Sequence, residues 1–381
     1  RLQFQPTVLL REAIRTLLDC NAKGKGAMSS FQALMVSTAS RVGTGNIIGV
    51  AVAVSTGGPG AVFWCMVTGL LGMATRYAEC LLAIRYRRVD ALGHLVGGPM
   101  YVLEHGLHCK WLAVVFAVLT AVAAFGIGNL TQANAVSAVL QESALNIPTW
   151  ATATVLCILV AAVLLGGLRG IAHTCKACVP TMALVYMAGC VMVLAAHADF
   201  ILPAVQLILD SAFSAHAATG GFIGSTLMLA MRTGVQRGLF SNEAGEGSAP
   251  NAAAAADTSH PAKQGLVQML SVFIDTLLLC TATAFMCMCS GVAPQADLAG
   301  APYVQSALST TFGAAGPIFI AGAMFLFAFT TLLGNFYYIE NCFAYILKKT
   351  PSKLFMNIVR VIGAVLIFLG AIGMVLLRTN R

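Results

Sequence analysis

Nine stretches of the chain are apolar over about 20 residues or more, the length of helix that crosses a hydrocarbon layer of about 30 Å. They cover residues 28–56, 60–86, 110–141, 148–167, 173–196, 219–256, 263–291, 314–346 and 354–377, segments A to I. Runs this continuous do not suit a membrane β-barrel, whose strands alternate in polarity over about 10 residues. Helices are the remaining way to satisfy backbone polar groups in lipid. Composition agrees, because 58% of the 381 residues are hydrophobic and 9% are charged, which excludes a soluble domain and a disordered chain. The 12 Cys are too few for a disulfide scaffold. The expected fold class is an all-α polytopic membrane protein.

Orientation follows from the cations. Arg1, Arg11, Arg15, Lys23, Lys25, Arg85, Arg87, Arg88, Lys110, Arg169, Lys176, Lys263, Lys348, Lys349 and Lys353 all fall on one side if each segment crosses once. The opposite loops hold Glu142, Asp199, Asp210 and Asp297 instead. The basic side is therefore read as cytoplasmic, and residues 1–27 as a cytoplasmic segment with no cleavable signal peptide. Only Arg378 and Arg381 depart from the pattern. The net charge of +8 is explained by this sorting and by an anionic leaflet, so no nucleic-acid partner is expected.

Ionisable residues inside apolar segments are costly and face a bundle interior or a cavity. Here they are Arg41, Arg76, Glu79, Arg232, Arg237, Glu243, Glu246, Asp275, Glu340 and Arg360. Arg76 and Glu79 are three apart and can pair on one helix face. Segments A and F also gather glycine, hydroxyls and Asn at mid-length, in Ser37–Gly49 and Arg237–Pro250. Glycine weakens a helix by about 1 kcal/mol relative to Ala, and unwound backbone at that depth survives only where it lines a cavity. Both segments are therefore expected to be discontinuous. They lie five segments apart, an offset that reverses membrane orientation, so 28–196 and 218–377 are expected to form an inverted repeat joined by an outer loop at 197–217.

The chemistry follows from the breaks. Free amides at Gly45 to Ile47, at the positive end of a half-helix, suit a carboxylate. Free carbonyls at Ala39 to Val42 suit a small cation, with hydroxyls available from Thr330 and Thr331. Gly43 to Gly49 does not have the dinucleotide spacing and follows no strand, and Lys23 to Gly26 does not continue as a P-loop. Cys175 and Cys178 form a lone CxxC beside His173, without the second pair that a zinc site needs. No catalytic constellation, and so no enzyme activity, is expected.

Seven motifs then mark a family. Gly43 to Ala51, Gly57 to Trp64, Gly72 to Glu79, Gly97 to Tyr101, Gln132 to Asn134, Gly238 to Gly245 and Gln264 to Leu270 together make the chain, from about residue 1 to 377, resemble the alanine/glycine:cation symporters. The resemblance implies a LeuT-type inverted-repeat bundle in a bacterial inner membrane that takes up a small neutral amino acid with Na+. It implies that Thr44 and Gly45 belong to the substrate site, closed by Gln132 and Phe240; the reading of the breaks adds Asn46 and the Ser241 and Asn242 backbone to that site. It places the cation at Val42, Thr330 and Thr331, beside the Ala39 carbonyl already read from the break. Members usually carry one more helix before and one after the span present here, so four of five second-repeat helices are expected. Glu246 stands where many relatives have Met, and Asn335, a further pocket residue, where many have Trp. The second carboxylate beside Glu243 keeps proton coupling open, and a non-transporting membrane subunit or a channel are the competing classes.

Overall fold

The computed structural model describes residues 6–18, 28–89, 95–143, 145–213, 227–294, 298–348 and 352–378. After α1 (Pro6–Leu18), segment A becomes two helices, α2 (Ser30–Arg41) and α3 (Ile48–Gly57). Segment B is α4 (Gly60–Arg85), followed by the short α5 (Pro99–His105). Segments C, D and E are α6 (Lys110–Glu142), α7 (Thr149–Leu165) and α8 (Gly167–Ala196). After α9 (Ile201–Phe213), segment F divides into α10 (Leu227–Asn242) and α11 (Ala249–Ala254). Segment G is α12 (Pro261–Cys289), followed by α13 (Ala301–Phe312). Segments H and I are α14 (Ala315–Leu347) and α15 (Lys353–Arg378).

Among the described residues, six helices are long and apolar enough to cross a membrane: α4, α6, α8, α12, α14 and Leu354–Gly373 of α15. The nine expected membrane segments are not all found as single spanning helices, since A and F are divided and α7 has 17 residues. The outer loop 197–217 is not simply a loop, because 201–213 is helical. Arg169 and Lys176 lie within α8 rather than before it. Lys23, Lys25, Lys349, Asp297, residues 214–217 and the first residues of segment F lie outside the described residues.

The start of α2 is fixed by a reciprocal cap: Gln32 N donates to Ser29 Oγ at 3.1 Å and Ser29 N to Gln32 Oε1 at 2.9 Å. A two-residue parallel pairing of Met28–Ser29 with Ala256–Asp257 ties this start to the end of α11. Arg87 Nη1 donates to the Ala256 carbonyl at 2.9 Å, and Tyr345 OH donates to Glu104 Oε2 at 2.6 Å. These contacts collect the ends of α4, α11 and α14 and the starts of α2 and α6 at one end of the molecule.

The apolar stretch of α14 is 67% buried against 22% for that of α6, so α14 runs through the centre and α6 along the periphery. Close approach depends on glycine. A Cβ on Gly334 of α14 would lie 2.8 Å from Ser40 Cα of α2, and one on Gly238 of α10 would lie 2.7 Å from Thr68 Cβ of α4. Two helices carry a π-type turn at mid-length, Ala124–Leu130 in α6 and Phe273–Cys280 in α12.

Candidate functional site

At the first break α2 ends where Val42 N donates to the Thr38 carbonyl at 2.8 Å, and Gly43 N then turns back to the Arg41 carbonyl at 2.7 Å. Thr44–Asn46 form one tight turn, with the amides of Asn46 and Ile47 closing on Gly43 and Thr44 carbonyls at 3.2 Å. These two amides are therefore not free, contrary to the sequence expectation. Gly45 N has no acceptor among the described bonds. Gln132 Oε1 of α6 accepts from Thr44 N at 3.0 Å and from Thr44 Oγ1 at 2.8 Å, holding the turn open. A Cβ on Gly43 would meet Thr331 Oγ1 at 2.8 Å and Gln132 Oε1 at 3.0 Å, so any other residue would displace these two side chains.

The second break spans Glu243 to Ser248, with positive φ at Glu243 (49°), Gly245 (96°) and Gly247 (80°). The glycines supply left-handed backbone without a steric penalty. The Asn242 carbonyl at the end of α10 accepts from Arg76 Nη2 at 2.5 Å and from Arg41 Nη1 at 3.3 Å. Two cations thus meet the negative end of a half-helix. Arg76 Nη1 also pairs with Glu79 Oε1 at 2.5 Å, and Gly245 N donates to Glu79 Oε2 at 3.1 Å, so the ion pair predicted on α4 anchors the unwound segment.

Asp275, in the π-type turn of α12, joins the two breaks. Its carboxylate accepts from the Asn46 side-chain amide on one side and from Ser241 Oγ at 2.6 Å on the other. Between the breaks lies a cavity of about 310 Å³. Gly45, Asn46, Gln132, Phe240, Ser241, Thr331 and Asn335 line it, with Ser40, Arg41, Glu243, Glu246, Ser248, Tyr338 and the Thr120–Gly128 face of α6. From the breaks it extends toward the end where α2 and α6 start, and there Glu246 is exposed.

Residues 1–377 match the sodium:alanine symporter family. The chain belongs to this family. It is 44% identical over 338 residues to the sodium/alanine symporter AgcS of Methanococcus maripaludis, covering 87% of this chain and 73% of that protein. It is 42% identical over 351 residues to the amino-acid carrier protein AlsT of Bacillus subtilis, covering 92% and 73%. Its fold is shared with a Na+-coupled sialic acid symporter solved in a substrate-bound outward-open state, at TM-score 0.63 and 14% identity, covering 97% and 82%. The likeness of fold includes the LeuT-type bundle, and family and helices together make the chain a multi-pass membrane symporter.

Within this family member, the sequence-predicted residues divide by position. Gly45, Asn46, Gln132, Phe240, Ser241, Thr331 and Asn335 are brought together at the cavity. Thr44 sits one layer behind, bonded to Gln132. Asn242 is fully buried, its carbonyl taken by the two arginines and its Oδ1 accepting from Ala244 N at 2.9 Å. The Ala39 and Val42 carbonyls lie 3.0 and 3.5 Å from Thr331 Oγ1. Thr330 is not among them, because its hydroxyl faces Met182 Sδ at 3.3 Å and its own helix.

Several polar residues of the site escaped assignment from sequence. Ser37 Oγ donates to Gln268 Oε1 at 2.5 Å and supports Arg41, whose Nη2 donates back to it at 3.1 Å. Ser40 and Tyr338 hydroxyls are 2.7 Å apart, and Asn335 Nδ2 donates to Asn129 Oδ1 at 3.1 Å. A polar group in an apolar helix was the available signal for each. Among the described residues, no three His, Cys, Asp or Glu gather as metal ligands, and Cys175 of the CxxC is fully buried.

Proposed function

We propose that the chain carries a small neutral amino acid such as alanine or glycine across the membrane with sodium, by alternating access around the breaks of segments A and F. The observation that carries the reading is Thr331 Oγ1. It has one proton and, beside the Phe327 carbonyl of its own helix at 2.9 Å, faces the Ala39 and Val42 carbonyls at the end of α2 at 3.0 and 3.5 Å. One donor cannot satisfy both helix-end carbonyls, whereas a small hard cation takes such oxygens as ligands. Sodium, as cargo, would sit between α2 and α14 there.

The amino acid occupies the adjoining cavity in this reading. Its carboxylate meets the Gly45 amide and the positive end of α3. Its ammonium meets the Phe240 and Ser241 carbonyls at the end of α10, since that of Asn242 is already used. The Phe240 ring, 45% exposed and facing Gly45, bounds the side chain. Segments A to E and F to I form two inverted repeats, with the basic end cytoplasmic in a bacterial inner membrane. The cavity then faces inward.

Labelled alanine uptake into proteoliposomes, under separately imposed sodium and proton gradients, tests this. An inward sodium gradient is expected to drive saturable accumulation, with none from a proton gradient alone. Glu243 and Glu246 on the cavity wall favour the second reading, a proton-coupled cycle, and accumulation on a proton gradient without sodium would establish it. Unsaturable flux would identify a channel, and no uptake would leave a non-transporting subunit.

A further inference from the structure

Arg237 is a half-buried cation in the apolar part of the bundle that no partner neutralises. On α10 it stands three residues before Phe240, and so on the same helix face, one turn further from the breaks. α3 passes this face through its glycines. A Cβ on Gly45 would lie 3.1 Å from Phe240 Cε1, and one on Gly49 would lie 3.7 Å from Arg237 Nη1. The guanidinium therefore forms the next layer outward from the Phe240 ring. Arg41, Arg76 and Arg360 all donate to carbonyl or carboxylate oxygens. Arg237 has no carboxylate within ion-pair distance among the described residues, and its buried Nε meets no acceptor. The crevice beside it, lined by Val50, Val54, Cys65, Cys280 and Thr281, measures about 10 Å³, room for one water at most. An arginine kept at this depth with donors unused is costly, and such residues mark substrate pathways.

We propose that Arg237 is an outer carboxylate site, which receives the amino acid arriving from outside before it passes Phe240 to the Gly45 amide. A guanidinium presents two parallel N–H donors that match the two oxygens of a carboxylate. The α-carboxylate is the anionic group that every neutral amino acid carries, so this site reads the substrate's backbone and leaves its side chain to the Phe240 ring. In the proposed topology the Arg237 layer is nearer the outer end than the Phe240 layer, so it meets an arriving solute first. One helical turn, about 5.4 Å, separates the two layers, and the carboxylate passes from guanidinium to amide by a short displacement. The full positive charge stays behind at the entrance, where it does not hold the substrate back on its way to the cytoplasmic side.

The proposal rests on amino-acid uptake, and the test separates the two. Initial rates of labelled alanine uptake are measured in right-side-out membrane vesicles at saturating sodium. Arg237→Gln is expected to raise KM for alanine several-fold, with kcat and the half-saturating sodium concentration unchanged, and Arg237→Lys to lie between it and the wild type. A packing role would not depend on the sign of a charge. In a background freed of the 12 native cysteines, Arg237→Cys is therefore treated from outside with the cationic trimethylammonioethyl methanethiosulfonate or the anionic sulfonatoethyl methanethiosulfonate. The cation is expected to lower the raised KM and the anion to raise it further. A wild type that takes up no alanine defeats the uptake reading, and the outer site with it. A wild-type KM in Arg237→Gln, a cysteine reached only from the cytoplasmic face, or equal effects of the two reagents overturns the outer site alone. Should the neutral variants fail to insert, the wild type decides. External phenylalanine, which the Phe240 ring keeps from the cavity, is expected to inhibit alanine uptake without being accumulated, and phenylalaninol, which lacks the carboxylate, to leave it unchanged; equal effects of the two overturn the site.

Discussion

Thr331 and Gly45 are the residues at which the proposed chemistry is most exposed to a single substitution. Thr331→Ala removes one oxygen from the set formed with the Ala39 and Val42 carbonyls without disturbing the packing of α14. The half-saturating sodium concentration for uptake is expected to rise roughly tenfold, equivalent to about 1.4 kcal/mol, with Thr331→Ser near wild type. An unchanged sodium dependence would remove this hydroxyl from the ion's path. At Gly45 the backbone does not require glycine, since its φ is not positive. The demand is for space, because a Cβ there would lie 3.1 Å from Phe240 Cε1. Gly45→Leu is therefore expected to insert normally and lose alanine uptake, whereas Gly45→Ala retains uptake with a raised KM. Wild-type-like uptake by Gly45→Leu, measured at equal membrane abundance, would place the substrate elsewhere. Both residues were legible in the sequence because small and polar groups stand where a spanning helix otherwise uses Leu or Ile. Thr330 shows the limit of that signal. Sequence cannot distinguish adjacent hydroxyls, and a helix turns neighbouring side chains about 100° apart, which sends this one to Met182.

At the scale of elements, the glycine and polar clusters announced both breaks, but α9 and α13 went unread. Each is shorter than a crossing, with 13 and 12 residues, so a search by spanning length returns them as loop. The π-type turns left fainter marks. An inserted residue does not alter composition, and only Asp275 in an apolar run hinted at the one in α12. The Arg76 and Glu79 pair on α4 was predicted from spacing, and the structure gives it a further task at the end of α10. The Arg76 side chain is completely buried and that of Glu79 is 15% exposed, so removing one partner strands a charge. Arg76→Leu is expected to destabilise the protein by about 3–5 kcal/mol, read as a fall in Tm in detergent. Arg76→Leu with Glu79→Gln is expected to recover a large part of that loss, because the stranded carboxylate is gone. If the double variant is as unstable as the sum of the single ones, the pair is not energetically coupled.

For the molecule as a whole, one cavity and one orientation have to be consistent. The cavity runs from the breaks along the Thr120–Gly128 face of α6 toward the end where Met28 pairs with Ala256. In the proposed topology this end is cytoplasmic, and on the outer half of the same route α3 packs closely on α10, where a Cβ on Gly57 would lie 2.8 Å from Thr233 Cβ. Ala123 lines the cavity and is exposed, and among the described residues it makes no polar contact with either break. In a background freed of the 12 native cysteines, Ala123→Cys is expected to react with an impermeant thiol reagent applied to the cytoplasmic face. Sodium with alanine is expected to slow the reaction several-fold by populating occluded and outward-facing forms, since a ligand shifts a conformational equilibrium only through its different affinity for the two states. Sodium alone, which favours the outward form in a symporter awaiting substrate, is expected to slow it as well. Equal labelling from both faces would mean a continuous pore. Labelling only from outside would invert the topology drawn from the basic loops, leaving the breaks and their cavity intact.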